Sequence, residues 1–180
     1  MLVSRCAAMT QFAALSVHTQ KGVIMYQRIL VPVDGSHTST LGLQEAIRLA
    51  IDQRARLRII HVVDELLVAQ NFEGYINAGE LIDSLEASGK KALHNAVALA
   101  RKHDLKAEAS MFETVGGRVA DVIVREARKW KADLIVMGTH GRRGIGRVVL
   151  GSDAETVLRE ARVPVLLVRA PEPKKRTPKK

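Results

Sequence analysis

Short apolar runs alternate along this chain with longer stretches in which apolar residues recur every three or four positions. The runs Ile29–Val33 (ILVPV), Arg56–Val63 (RLRIIHVV), Lys106–Glu113, Asp133–Met137 (DLIVM) and Val163–Val168 (VPVLLV) predict five strands. Between them, Thr38–Gln53, Glu80–His103, Gly117–Lys129 and Ser152–Ala161 carry helical spacing, with Leu43, Ile47 and Ala50–Ile51 expected to face the core from the first helix. A linking segment, Asp64–Gly79, holds Phe72, Gly74 and Tyr75. Regular strand–helix alternation predicts an α/β fold of three layers, a parallel sheet with helices on both faces and right-handed crossovers. The run DLIVM, apolar after its first residue, suits a strand buried on both faces. Spacing alone leaves the strand order open.

The candidate chemistry lies where two strands end. After Asp133–Met137 comes MGTHGRRGIGRVVLGS, which places Gly138, Gly141 and Gly151–Ser152 on one loop together with Arg142, Arg143 and Arg147. Glycine admits positive φ and close approach to the backbone, so successive N–H groups can turn inward around an anion. Ser152 is expected to cap the next helix, with Glu155 completing a capping box, so the positive end of the helix dipole faces the loop. The first strand ends in Asp34-Gly35-Ser36 and forms the other wall. His140 is the histidine placed to touch a phosphate, whereas His61, inside an apolar strand, reads as a core residue. A plain turn for the glycines, a solvated face for the arginines and a helix-capping role for Asp34 are the competing readings of the same residues.

YQRILVPVDGS and MGTHGRRGIGRVVLGS together resemble the two signatures of the universal stress protein family. Its nucleotide-binding members carry GxxG, nine residues, then Gly and Ser or Thr, and here Gly138 and Gly141 are followed by nine residues, Arg142 to Leu150, and then Gly151 and Ser152. The resemblance runs from about Tyr26 to Arg169. It implies a five-stranded sheet of order 3-2-1-4-5, similar to adenine nucleotide alpha hydrolases, with the switch point between the first and fourth strands. It also implies ATP, with magnesium, as ligand. On that pattern Gly138, Gly141, Gly151 and Ser152 hold phosphate, and Pro32, Val33 and Asp34 hold adenine and ribose. The backbone of Val62 meets the adenine edge, Met137 packs on the base, and Asp34 accepts a ribose hydroxyl or holds the magnesium ion. His140 and Arg142 belong to the same loop. Asp153 departs from the apolar residue commoner after the serine, although an acid in the first turn suits the helix dipole. Family members also pair through the last strand, so a homodimer through Val163–Val168 is expected.

The net charge of +9 at first suggests nucleic acid or an anionic membrane. Its distribution weakens that reading. Arg5 and Lys21 give the first 24 residues +2, and six bases against Glu172 give residues 169–180 +5, which leaves +2 for residues 25–168. The expected organisation is therefore an N-terminal extension or misplaced start over residues 1–24, one domain over 25–169, and a basic, solvated tail over 170–180. That tail is the one segment suited to nucleic acid or a phosphorylated partner. The apolar run Cys6–Val17 is broken by Thr10 and Gln11 and preceded only by Arg5, a poor match to a secretory signal. No run reaches the ~20 apolar residues of a membrane helix. A single cysteine, Cys6, excludes an intramolecular disulfide and suits a reducing cytoplasm.

The chain carries no GxxxxGK[ST], no GxGxxG after the first strand and no GxSxG, and its histidines show no paired metal-ligand spacing. With no lysine in the glycine loop and no evident base, no catalytic residue is assigned and ATP hydrolysis is expected to be weak at most. The expected function is a cytoplasmic, ATP-binding stress-response or regulatory module acting on an unknown protein partner. The alternatives are a slow ATPase or nucleotidyl-transfer enzyme, and a structural partner protein that binds no nucleotide.

Overall fold

The structure, a computed structural model, describes residues 25–64, 78–139 and 150–171. The expectations for residues 1–24, most of the linking segment, His140, Gly141, Arg142, Arg143, Arg147 and nearly all of the tail lie outside the described residues. Nine elements follow in order: β1 (Arg28–Pro32), α1 (His37–Gln53), β2 (Arg56–Asp64), α2 (Ala78–Arg101), β3 (Ala107–Thr114), α3 (Val119–Trp130), β4 (Leu134–Gly138), α4 (Ser152–Glu160) and β5 (Val165–Val168). All strand pairs are parallel and the order is β3-β2-β1-β4-β5. The chain thus winds outward from β1 in one direction, then crosses back to add β4 and β5 on the other side.

Burial follows position in the sheet. Ile29, Leu30 and Val31 of the central strand have no exposed surface, and all five residues of β4 are buried. On one face Ile29, Val31, Ile59 and Val136 pack under Leu43, Ala46 and Ile47 of α1 and Ala96 and Ala100 of α2. On the other, Leu30, Ile60, Ile135 and Met137 pack under Ala120, Ile123 and Ala127 of α3 and Ala154 and Val157 of α4. Each fully buried Ile or Leu contributes roughly 1.5–3 kcal/mol. Ile51 differs from expectation and is 48% exposed. At 100° per residue it lies at the margin of the stripe set by Leu43, Ile47 and Ala50, where the helix turns away from the sheet. The edge strand β5, though wholly apolar, is only half-buried, because nothing among the described residues pairs with its outer side.

At the amino edge of the sheet the Asp133 carboxylate accepts the backbone N–H groups of Gln27 (2.8 Å) and Arg28 (3.0 Å). The Arg28 guanidinium donates to the Trp130 carbonyl at 3.1 Å, and the Arg58 guanidinium lies 5.5 Å from the centre of the Trp130 ring. These contacts fix the α3–β4 corner against the start of β1.

The first turn of α1 lies against the end of β4. A Cβ added to Gly138 would fall 2.7 Å from the Thr38 carbonyl carbon and 2.9 Å from the Ser39 nitrogen; one added to Gly42 would lie 3.1 Å from the Gly138 nitrogen. Gly138 therefore leaves no room for a side chain, and Gly42 packs tightly against the strand. Gly138→Ala is expected to destabilise the domain by about 2 kcal/mol, the usual range for overpacking. That corresponds to a melting temperature lower by roughly 4–8 °C in a domain of this size, measurable by calorimetry.

Candidate functional site

The alternation of backbone groups along β1 opens a crevice at its carboxyl end. The Val33 N–H donates to the Ile60 carbonyl of β2 at 2.8 Å, so the preceding residue, Pro32, turns its backbone toward β4. Pro32 has no N–H to give there. Pairing of β1 with β4 accordingly extends only over Ile29↔Leu134 and Leu30↔Ile135, whereas β1 and β2 stay in register as far as Pro32↔Ile60. Beyond Leu30 the two strands part. This is the topological switch point of the sheet, since β1 leads to β2 on one side and β4 arrives on the other.

The loop after β1 is held residue by residue. The His61 imidazole, 4% exposed, places Nδ1 2.6 Å from the Val33 carbonyl. The Asp34 N–H donates to Ser39 Oγ at 3.4 Å, and Asp34 Oδ1 accepts the Ser36 N–H at 2.9 Å. Gly35 takes φ +82°, a region that glycine enters at no steric cost. Ser36 is the N-cap of α1, its Oγ accepting the Ser39 N–H at 3.1 Å, while Ser39 Oγ donates to the Ser36 carbonyl. Asp34 therefore closes the turn before the cap, and Ser36 does the capping. The His61 expectation holds: it is a buried histidine with a hydrogen-bond partner.

On the facing side, the Thr139 N–H donates to the Val168 carbonyl at 3.0 Å, and the Thr139 carbonyl accepts the Gly151 N–H at 2.9 Å. This pair brings the start of α4 back to the end of β4. The capping box expected at Ser152 is not formed. Gly151 is the N-cap, in extended conformation (φ −63°, ψ 145°), with its carbonyl accepting the Glu155 N–H, and Ser152 is already the first helical residue. A capping serine must itself be extended, and here Gly151 occupies that position. Asp153 and Glu155 lie in the first turn of α4, where acids complement the helix dipole.

The structure thus brings Pro32, Val33 and Asp34 on one side together with Gly138, Gly151, Ser152 and Asp153 on the other, at the carboxyl ends of β1 and β4 and the N-termini of α1 and α4. Met137 is 7% exposed and packs within the α3–α4 layer, with Leu150, Ala154 and Val157 in the same cluster; Val62 is half-buried against that layer. Gly138 carries the packing role described above in addition to its place at the crevice. Sequence reasoning missed Ser39, a buried serine that holds the Asp34 amide, and it left the His61–Val33 bond unseen. The serine six places past the expected strand end was a weak signal for the former.

A groove of about 570 Å³ lies elsewhere, between α3 and α4, lined in part by Asp121, Arg125, Arg128 and Glu160. Arg118 binds both acids, at 2.8 Å to Asp121 and 3.1 Å to Glu160. The Asp121 hydrogen bond, then the charges of Asp121 and Glu160, hold the Arg118 guanidinium above its ordinary pKa. This open, exposed groove lies along α3 and the end of α4, away from the carboxyl ends of the strands where open parallel sheets bind ligands, so the strand-end crevice is the better candidate site.

Comparison with known proteins agrees with this architecture. The sequence pattern of the Universal stress protein family matches residues 25–169. The chain belongs to the universal stress protein family. It is 38% identical over 156 residues to a universal stress protein of Methanocaldococcus jannaschii, covering 85% of this chain and 88% of that one. A universal stress protein family structure from Burkholderia pseudomallei superposes with a TM-score of 0.66 at 36% identity, covering 81% of this chain and 98% of the other. Two further universal stress protein structures hold adenine nucleotides. One, from Archaeoglobus fulgidus, is a complex with dAMP (TM-score 0.56, 25% identity, 80% and 98% of the two chains), and another is a complex with cAMP (TM-score 0.53, 26% identity, 81% and 98%).

The cap of α1 gives a direct test of the loop's construction. Ser36→Ala removes the acceptor of the Ser39 N–H and is expected to cost about 1 kcal/mol, read as a lower urea midpoint with an unchanged m-value. Ser36→Asp should restore most of that loss.

Proposed function

We propose that this protein is an adenine-nucleotide-binding universal stress protein, with ATP and magnesium as its ligand, acting as a nucleotide-dependent regulatory module in the cytoplasm rather than as an efficient enzyme. The observation that carries the reading is the parting of β1 from β4 beyond Leu30, with the N-termini of α1 and α4 bordering the gap. Two helix N-termini favour negative charge, and relatives of the same family hold dAMP and cAMP.

In this reading the Pro32–Asp34 loop and Val62 receive adenine and ribose, and Met137 lines the base. Gly138, Gly151, Ser152 and Asp153 lie on the phosphate side, joined by His140, Gly141 and Arg142 of the glycine loop. Asp34, Asp153 and the hydroxyls of Ser36, Thr38 and Ser152 supply oxygen donors around the crevice. Such a donor set suits magnesium, which keeps several waters and binds through one or two carboxylates plus phosphate.

MgATP at a hundredfold its dissociation constant should add about 2.7 kcal/mol of stability, raising the melting temperature by roughly 5–10 °C. No shift at millimolar MgATP would sink the reading and leave the non-binding alternative. Gly151→Val should abolish the shift without unfolding the domain, because the extended backbone at 151 accommodates any residue while the added side chain blocks approach to the amide.

We also propose that two copies pair through the last strand. The Pro164 and Val168 carbonyls face β4, at 3.0 Å from the Ile135 and Thr139 nitrogens. The alternate residues Val165 and Leu167 therefore turn their backbone groups to the open edge, beside the 36% exposed Leu166. Light scattering should report twice the 19.7 kDa chain mass at micromolar concentration, and Leu166→Lys should reduce it toward one chain. A monomeric parent under those conditions contradicts the pairing. Val165 and Leu167 are poorer probes, because their side chains pack into the α3–α4 layer.

A further inference from the structure

The His61 side chain connects three elements. It leaves β2 on the side covered by α1 and α2, reaches sideways to the Val33 carbonyl (2.6 Å), and meets α2 at Gly89. A Cβ on Gly89 would lie 2.6 Å from His61 Cδ2, 2.9 Å from Nε2 and 3.2 Å from Met111 Sδ, so the ring is seated against the helix with no room for even a methyl group. A carbonyl accepts only, so Nδ1 bears the proton in this contact. Val33 is thereby held to β2 at both ends of its backbone: its N–H bonds the Ile60 carbonyl of the strand, and its C=O bonds the ring that stands on the next residue. Regular β1–β2 register ends at Pro32↔Ile60, one residue earlier. The imidazole prolongs the attachment of β1 to β2 past the point where β1 has parted from β4.

We infer that His61 is the positioning residue of the Val33–Ser36 loop, and that Gly89 of α2 sets the ring in place, so the side of the crevice assigned to adenine and ribose is fixed from α2 through His61. The inference rests on the nucleotide reading for its effect on affinity, but not for its effect on the loop. With the ring removed, the Val33 carbonyl loses its partner in a buried setting, and the following amides of Asp34, Gly35 and Ser36 lose the anchor that fixes the turn. Loss of a positioning group lowers affinity through disordered geometry, without any lost ligand contact.

The test uses the full chain and four variants. His61→Asn places its side-chain N–H where Nδ1 stands, His61→Leu keeps similar bulk without a donor, and Gly89→Ala displaces the ring. Ile59→Ala opens a cavity in the same strand, at a fully buried position with no part in the Val33 contact. Hydrogen exchange without nucleotide should show the amides of residues 34–36 exchanging at least tenfold faster in His61→Leu and Gly89→Ala, and within threefold of the parent in His61→Asn and Ile59→Ala. Titration with MgATP should show the same ranking, with at least fivefold weaker binding in the first pair. Unchanged loop protection in His61→Leu, or an equal loss in Ile59→Ala, overturns the inference and leaves His61 a packing residue only. A parent that fails to bind MgATP contradicts the nucleotide reading, while the exchange ranking still decides the role of His61.

Discussion

The carboxyl edge of this sheet depends on how closely the first turn of α1 can approach the end of β4. Gly138 and Gly42 set that distance, since a side chain at either would press on the main chain opposite. The approach brings the N-terminus of α1 alongside the gap between β1 and β4, and it seats Ser39 where its hydroxyl can receive the Asp34 amide. If α1 stood off by the width of a methyl group, the turn after β1 would lose one of its supports and the crevice one of its walls.

The gap itself has a covalent origin. Val33 is bonded to β2, so the two-residue period of a strand assigns Pro32 to β4, and proline has no hydrogen there to donate. In a central strand this would ordinarily leave a weak point. At a switch point it ends a ladder where the topology already requires the strands to diverge. Backbone chemistry and strand order thus act at one place, and the loop that follows is held by Ser36, Ser39 and the His61 ring.

The gross architecture was legible because its signals are one-dimensional. Apolar runs marked β1 and β4 as strands, the second of them buried on both faces, and each predicted element is found with its ends displaced by no more than two residues. The strand order came from the family signatures, not from spacing. What was not legible needs the third dimension. Ile51 looked like a core residue until the stripe's angular width around α1 was known. The cap moved from Ser152 to Gly151 because cap identity depends on which residue is extended, and a Gly-Ser pair permits either. Gly138 was read as a phosphate glycine, and its contact with Thr38 is between residues a hundred positions apart. His61 was correctly placed in the interior, but a carbonyl acceptor on a neighbouring strand leaves no trace in a sequence.

The Asp133 carboxylate, which receives the Gln27 and Arg28 amides from more than a hundred residues away, bears on how the chain is made. As the polypeptide leaves the ribosome from its N-terminus, β1, β2 and β3 can assemble in sequence as neighbours, because each successive strand adds to the same side. The other side of β1 stays uncovered until β4 has been synthesised and Asp133 reaches the start of the first strand. At the ordinary pace of translation, roughly 5–20 residues per second, the central strand of the sheet spends several seconds with one flank open. The interval in which nascent chains are most exposed to wrong partners is therefore set by the order in which the sheet is wound, and it ends when an acid at the amino edge of β4 closes over the first residues of the domain.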